Sequence, residues 1–125
     1  MEAYPKSKNI LVCEDEVGII ETIKLFCLMS EYSVTSFGDP REFMEHYHRY
    51  HNSIDIILLD QNLPVKKGLE LIPEIKEYNP DVDIYMMTGF PTETFTSEAF
   101  SLGVKDVLVK PFRKKDLLEV FSKYY

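Results

Sequence analysis

The stretch Ile54-Asp55-Ile56-Ile57-Leu58-Leu59-Asp60 decides the fold. Apart from Asp55 it is an aliphatic run, and it stops abruptly at a carboxylate. A run this short and this rich in strand formers reads as a strand from Ile54 to Leu59, buried on both faces. The loop after it carries Pro64 and Gly68. Outward from that strand, apolar runs alternate with amphipathic stretches along the whole chain. Ile10-Leu11-Val12-Cys13, Tyr32 to Phe37, Asp83 to Thr88 and Asp106 to Val109 are the other predicted strands. Between them, Ile19, Ile20, Ile23, Phe26 and Cys27 recur at helical spacing, which predicts a helix over Val17 to Ser30. Asp39, Pro40 and Glu42 form a predicted N-cap, first-turn proline and capping box for a helix reaching His51. Leu69 to Tyr78 predicts a helix with Pro73 inside it, where a proline bends the axis. Thr92 to Leu102, closed by Gly103, predicts another, and the last runs from Arg113 to the C-terminus. Five β-α units with short connections and two-sided apolar strands specify a doubly wound α/β domain with a five-stranded parallel sheet.

Composition narrows the function. A chain of 125 residues has the length of one domain, with its core expected over about residues 9 to 123. Its 14 basic and 21 acidic side chains give a net charge of −7, which disfavours nucleic acid and anionic membranes as partners. No apolar run approaches the roughly 20 residues of a membrane span. The polar N-terminus lacks the apolar stretch of a signal peptide, and two cysteines, Cys13 and Cys27, make no disulfide framework. A cytoplasmic setting is the expectation.

Ligands of open α/β sheets bind beyond the carboxyl ends of the strands. The residues expected there are Glu14, Asp15 and Glu16 after the first strand and Asp60, Gln61 and Asn62 after the third. Thr88-Gly89 and Lys110-Pro111 follow the fourth and fifth. Glu14, Asp15 and Asp60 repel one another unless a cation sits among them, and an all-oxygen set favours a hard ion such as Mg²⁺. A carboxylate can also accept a phosphoryl group as an aspartyl phosphate, with a metal and a lysine offsetting the charge. Asp60, Mg²⁺, Lys110 and Thr88 fill those roles.

These motifs, in this order, resemble the receiver domain of two-component response regulators, in length the stand-alone chemotaxis type. The residues that carry the resemblance are Glu14-Asp15, Asp60 with Leu63-Pro64 and Gly68, Thr88-Gly89, and Lys110-Pro111-Phe112. It implies that Asp60 accepts phosphate from a sensor histidine kinase or phosphotransfer protein. It implies that Asp15 ligates Mg²⁺ directly, that Glu14 acts largely through water, and that the Asn62 backbone carbonyl is a further ligand. Thr88 would swing toward the phosphoryl group, Lys110 would pair with it, and the Lys110-Pro111 bond would be cis. Such a domain switches a protein-interaction surface, expected on the fourth helix, fifth strand and fifth helix. It is no enzyme in the ordinary sense, since it assists only its own phosphorylation and dephosphorylation. One position departs from the family pattern: three residues before the lysine stands Val107, where the family usually carries an aromatic ring coupled to the threonine.

Other readings fit less well. A haloacid-dehalogenase-like phosphatase needs a second acid two residues after the nucleophile, and that residue is Asn62. A flavodoxin-like cofactor carrier would not greet a phosphate with Glu14-Asp15-Glu16. The alternative that Val107 supports is a phosphorylation-independent interaction module. His46, His48 and His51 lack the spacing of a ligand pair and read as a solvated helix face. Arg113, Lys114 and Lys115 read as a solvated helix start, with an acidic docking partner as the alternative. Phe90, two residues after Thr88, is placed to shield an acyl phosphate from water.

Overall fold

The strand over Ile56–Asp60 is buried along its whole length, as only a central strand can be. The computed structural model describes residues 7–123. In chain order its elements are β1 (Lys8–Cys13), α1 (Val17–Cys27), β2 (Tyr32–Phe37), α2 (Pro40–Tyr50), β3 (Ile56–Asp60), α3 (Ile72–Tyr78), β4 (Asp83–Thr88), α4 (Glu93–Ser101), β5 (Asp106–Val109) and α5 (Lys114–Ser122). Two 3₁₀ turns, His51–Ser53 and Gly68–Leu71, precede β3 and α3. All neighbouring strands pair in parallel, in the order β2-β1-β3-β4-β5.

Successive residues of the central strands point to opposite faces, and each face closes its own apolar layer. Leu11, Ile57, Leu59, Ile84 and Met86 join Phe43 and Tyr47 of α2, Ile72 and Ile75 of α3, and Ala99 of α4. Ile10, Val12, Leu58, Tyr85 and Met87 join Ile23 and Cys27 of α1 and Leu117 and Phe121 of α5. Each fully buried aliphatic side chain contributes about 1.5–3 kcal/mol, so the two layers hold the sheet between its helices.

Several predicted boundaries move. The third strand begins at Ile56 rather than Ile54, because the Ile54 amide closes the preceding 3₁₀ turn by donating to the His51 carbonyl (3.3 Å). α1 ends at Cys27, not Ser30; the Ser30 hydroxyl instead turns back onto the Cys27 carbonyl (2.6 Å). Asp39 caps α2 through the Arg41 amide (2.8 Å), with Pro40 in the first turn as predicted. Pro73 bends nothing: Gly68–Leu71 is a 3₁₀ turn, so Pro73 falls in the first turn of α3, where a missing N–H costs little. The predicted end of the last helix, Tyr124 and Tyr125, lies outside the described residues.

The histidines do not form a solvated face. His46 packs on Phe37 and Tyr50, His48 stacks on Tyr78 at 4.3 Å, and His51 meets the edge of Tyr78. His48 Nε2 also lies 2.5 Å from a Glu74 carboxylate oxygen. These rings tie α2 to β2 and α3. No described helix is long and apolar enough to cross a membrane.

Candidate functional site

Sheet register assembles the site. β1 and β3 pair Cys13 with Leu59, so the next residues, Glu14 and Asp60, leave the sheet side by side. β4 and β5 pair Thr88 with Val109, and the Lys110 amide then donates to the Thr88 carbonyl (2.8 Å). Glu14, Asp15 and Asp60 place one carboxylate oxygen each within 4.8 Å of one another. Glu14 is fully buried and Asp60 nearly so, while Asp15 is exposed.

Lys110 answers this charge. Its Nζ lies 2.6 Å from Glu14 Oε1 and 3.0 Å from Asp60 Oδ1. Burial works against the ammonium, but the bonds to Glu14 and Asp60 outweigh it and raise the lysine pKa. The Glu14 pKa also rises, which for a carboxylate disfavours the charge: burial, followed by the neighbouring Asp60, pushes it well above the usual range. One lysine therefore does not hold both carboxylates in the ordinary ionised range. Glu14 Oε2 is buried and accepts no hydrogen bond from any described residue. A buried, unpartnered Glu14 oxygen beside two further carboxylates fits a hard divalent cation, and the residues present suit Mg²⁺.

Thr88 is buried at the end of β4, and its Oγ1 accepts the Phe90 amide (3.1 Å). Asn62 stands just past Asp60, with its amide reaching Asp60 Oδ1 at 3.3 Å. The Lys110-Pro111 bond is cis. Val107 is half-buried on β5 against the layer under α4. Phe90 is 81% exposed, so its ring lies open to solvent. At the start of α5, Asp116 pairs with Arg113 (3.2 Å) and offsets the basic run.

Three supporting residues were not singled out from the sequence for these contacts. Gln61 accepts the Leu69 amide (3.0 Å) through its side chain and shapes the loop after β3. Gly68 lies so close that a Cβ there would collide with the Asp60 carbonyl oxygen. Gly38 packs on the backbone of Glu14 and Asp15. Gly68 carried a sequence signal as part of the motif; Gly38 and Gln61 gave none that separates them from ordinary turn residues. A cleft of about 410 Å³, lined by Glu16, Ile19, Thr22, Lys110, Pro111 and Phe112, opens beside the acidic cluster.

Against known proteins, the family model for the response regulator receiver domain matches residues 10–122. The regulatory protein VanRB of Enterococcus faecalis is 33% identical over 113 residues, covering 90% of this chain and 50% of that protein. Response regulator RR06 of Streptococcus pneumoniae is 33% identical over 104 residues, covering 83% of this chain and 46% of that protein. The chain thus spans about half the length of these curated relatives. Among solved structures, a response regulator receiver domain protein from Clostridium thermocellum superposes with a TM-score of 0.86 at 26% identity, covering 94% of this chain and 93% of that one. The chemotaxis protein CheY4 of Vibrio cholerae gives the same TM-score, 0.86, at 23% identity, with 94% and 98% covered, a likeness of fold.

Proposed function

Because the chain belongs to the response regulator receiver family, we propose that Asp60 is its phosphoacceptor and that Mg²⁺ sits among Glu14, Asp15 and Asp60. The observation that carries this reading is the Lys110 ammonium bridging Glu14 and Asp60 while a buried Glu14 oxygen stays unpartnered. The donor is a sensor histidine kinase or a phosphotransfer protein bearing a phosphohistidine. An Asp60 oxygen forms a bond to phosphorus as the bond from phosphorus to the imidazole nitrogen breaks. The electron pair stays on the ring, which takes a proton from solvent. Lys110 holds the Asp60 carboxylate beforehand and pairs with the phosphoryl oxygens afterwards. Thr88 presents a hydroxyl that can donate to one of those oxygens. Asp15, Asp60 and the Asn62 carbonyl would hold the ion, with Glu14 acting largely through water. Bound Mg²⁺ offsets the negative charge gathered by the carboxylates and the transferring group.

Hydrolysis reverses the switch: water attacks phosphorus, the acyl phosphate bond breaks, and inorganic phosphate leaves. The domain assists only these reactions of its own and acts on no separate substrate. Its product is a changed surface, which we assign to α4, β5 and α5 and to a protein partner in the cytoplasm. The cleft beside Lys110 and Pro111 is the approach for the donor.

Incubation with Mg²⁺ and acetyl phosphate tests the reading by intact mass. The parent should gain one phosphoryl group, and Asp60→Asn should gain none. Val107, with no ring to couple to Thr88, favours a second reading as a phosphorylation-independent interaction module. No gain in the parent with either acetyl phosphate or a phosphohistidine donor would favour that second reading instead.

A further inference from the structure

α1 is apolar on two sides. Its inward residues Ile19, Ile23, Phe26 and Cys27 pack on the layer shared with α5. A second set, Val17, Ile20, Leu25 and Leu28, recurs at helical spacing on the outward side. Ile20 is half-buried, but Val17 and Leu25 are each 66% exposed and Leu28 64%. Leu28 shares this face because its backbone is still helical (φ −56°, ψ −45°). A helix apolar all round belongs in an interior, yet only one side of this one is covered. The exposed positions of α2 and α5 are mostly charged or polar instead.

Two charges sit in the middle of the outward face. In chain order it reads Val17, Ile20, Glu21, Lys24, Leu25, Leu28: two apolar residues, an acid, a base, two apolar residues. That order is self-complementary. Turned end for end about a two-fold axis between Thr22 and Ile23, a second α1 sets Val17 against Leu28, Ile20 against Leu25 and Glu21 against Lys24. Symmetry makes each of these pairs occur twice. Neither Glu21 nor Lys24 has an ion partner among the described residues, so both are open to such a contact.

We propose that the outward face of α1 docks a second copy of this chain, the two helices lying antiparallel. The charges choose the direction, because a parallel pair in register brings Glu21 against Glu21 and Lys24 against Lys24. The helix has 11 residues, a length of about 16 Å. One such pair covers less than the roughly 1,200–2,000 Å² of a standard interface, so the dimer is weak and forms only at high local concentration. Ile19 and Thr22, which line the cleft beside Lys110, do not belong to this face. Pairing therefore stands apart from the reading of Asp60 and does not depend on it.

Sedimentation velocity at rising concentration tests this, with a thermal melt to show that each variant is folded. The parent should be monomeric near about 1 μM and mostly dimeric near about 1 mM, with a Kd of about 100 μM. Glu21→Lys alone, and Lys24→Glu alone, set like charges opposite one another at both contacts and should each weaken pairing about tenfold. Exchanging both at once restores opposite charges, and that variant should pair as the parent does. Mixed with the parent it should form no hybrid dimer, since acid then meets acid and base meets base. Leu25→Asp should stay monomeric throughout. A parent that remains monomeric at about 1 mM overturns the proposal and leaves the face to a different helical partner. A dimer that both single exchanges leave unchanged overturns it in favour of another surface. A double exchange that fails to recover overturns the antiparallel register.

Discussion

Lys110 gives one positive charge to two buried carboxylates, and that imbalance sets the behaviour of the site. Removing it with Lys110→Ala should cost about 3 kcal/mol of stability, since both acids lose their counter-charge in a dry setting. Chemical denaturation without divalent ions measures the loss, and Mg²⁺ should restore part of it. The raised pKa of Glu14 has a direction too. A folded pKa above the unfolded one stabilises the fold at low pH, and that contribution fades as pH climbs through the shifted value. In EDTA, above the ordinary carboxylate range, the parent should therefore lose stability toward mildly alkaline pH. Glu14→Gln should flatten that slope, gain about 1 kcal/mol at neutral pH, and forfeit most of the benefit of Mg²⁺. Val65 carries strain of a different kind, a β-branched residue at φ 72° with its side chain wholly exposed. Val65→Gly should raise stability by about 1 kcal/mol, read as a higher melting temperature.

Elements were legible where their signals are local. The strand ends, the Asp39-Pro40 start of α2 and the Thr92 start of α4 each lie within a few residues of the pattern that predicts them. The 3₁₀ turn before α3 was hidden because Leu69, Leu71, Ile72 and Ile75 satisfy a helical pattern whether or not the first turn is tighter. The histidines misled because their partners come from elsewhere: Tyr78 and Glu74 belong to α3 and Phe37 to β2. The same holds within the site, where Lys110 and Glu14 are 96 residues apart, so only the register of a folded sheet reveals their contact. Gly68 joins the two kinds of information, a motif residue whose reason is steric. Gly68→Ala should cost about 1–3 kcal/mol through its clash with the Asp60 carbonyl, and should slow phosphoryl gain from acetyl phosphate by displacing Asp60.

At the scale of the molecule, the sheet order places β1 and β3 in the middle and leaves β2 and β5 on the edges. The carboxylates come from the centre, whereas Thr88 and Lys110 come from the β4–β5 side, so a change at Asp60 is sensed asymmetrically. The β2–α2 side meets the site through backbone, the Phe37 carbonyl accepting the Glu14 amide (3.1 Å) and Gly38 packing on Glu14 and Asp15, and rings and apolar contacts bind it to its neighbours. Both cysteines are buried, and burial, then the nearby acids, pushes the Cys13 thiol up to about 12. Neither should react with iodoacetamide while the chain is folded. This seclusion leaves the exterior chemically blank, among the described residues, to a thiol-directed dye. A single Asn52→Cys, in the exposed turn before β3, becomes a unique attachment point on the unresponsive side. A fluorophore there should report the tumbling of the domain and its capture by a partner, yet stay dark to phosphorylation itself, which makes it an internal reference for a second dye on α4.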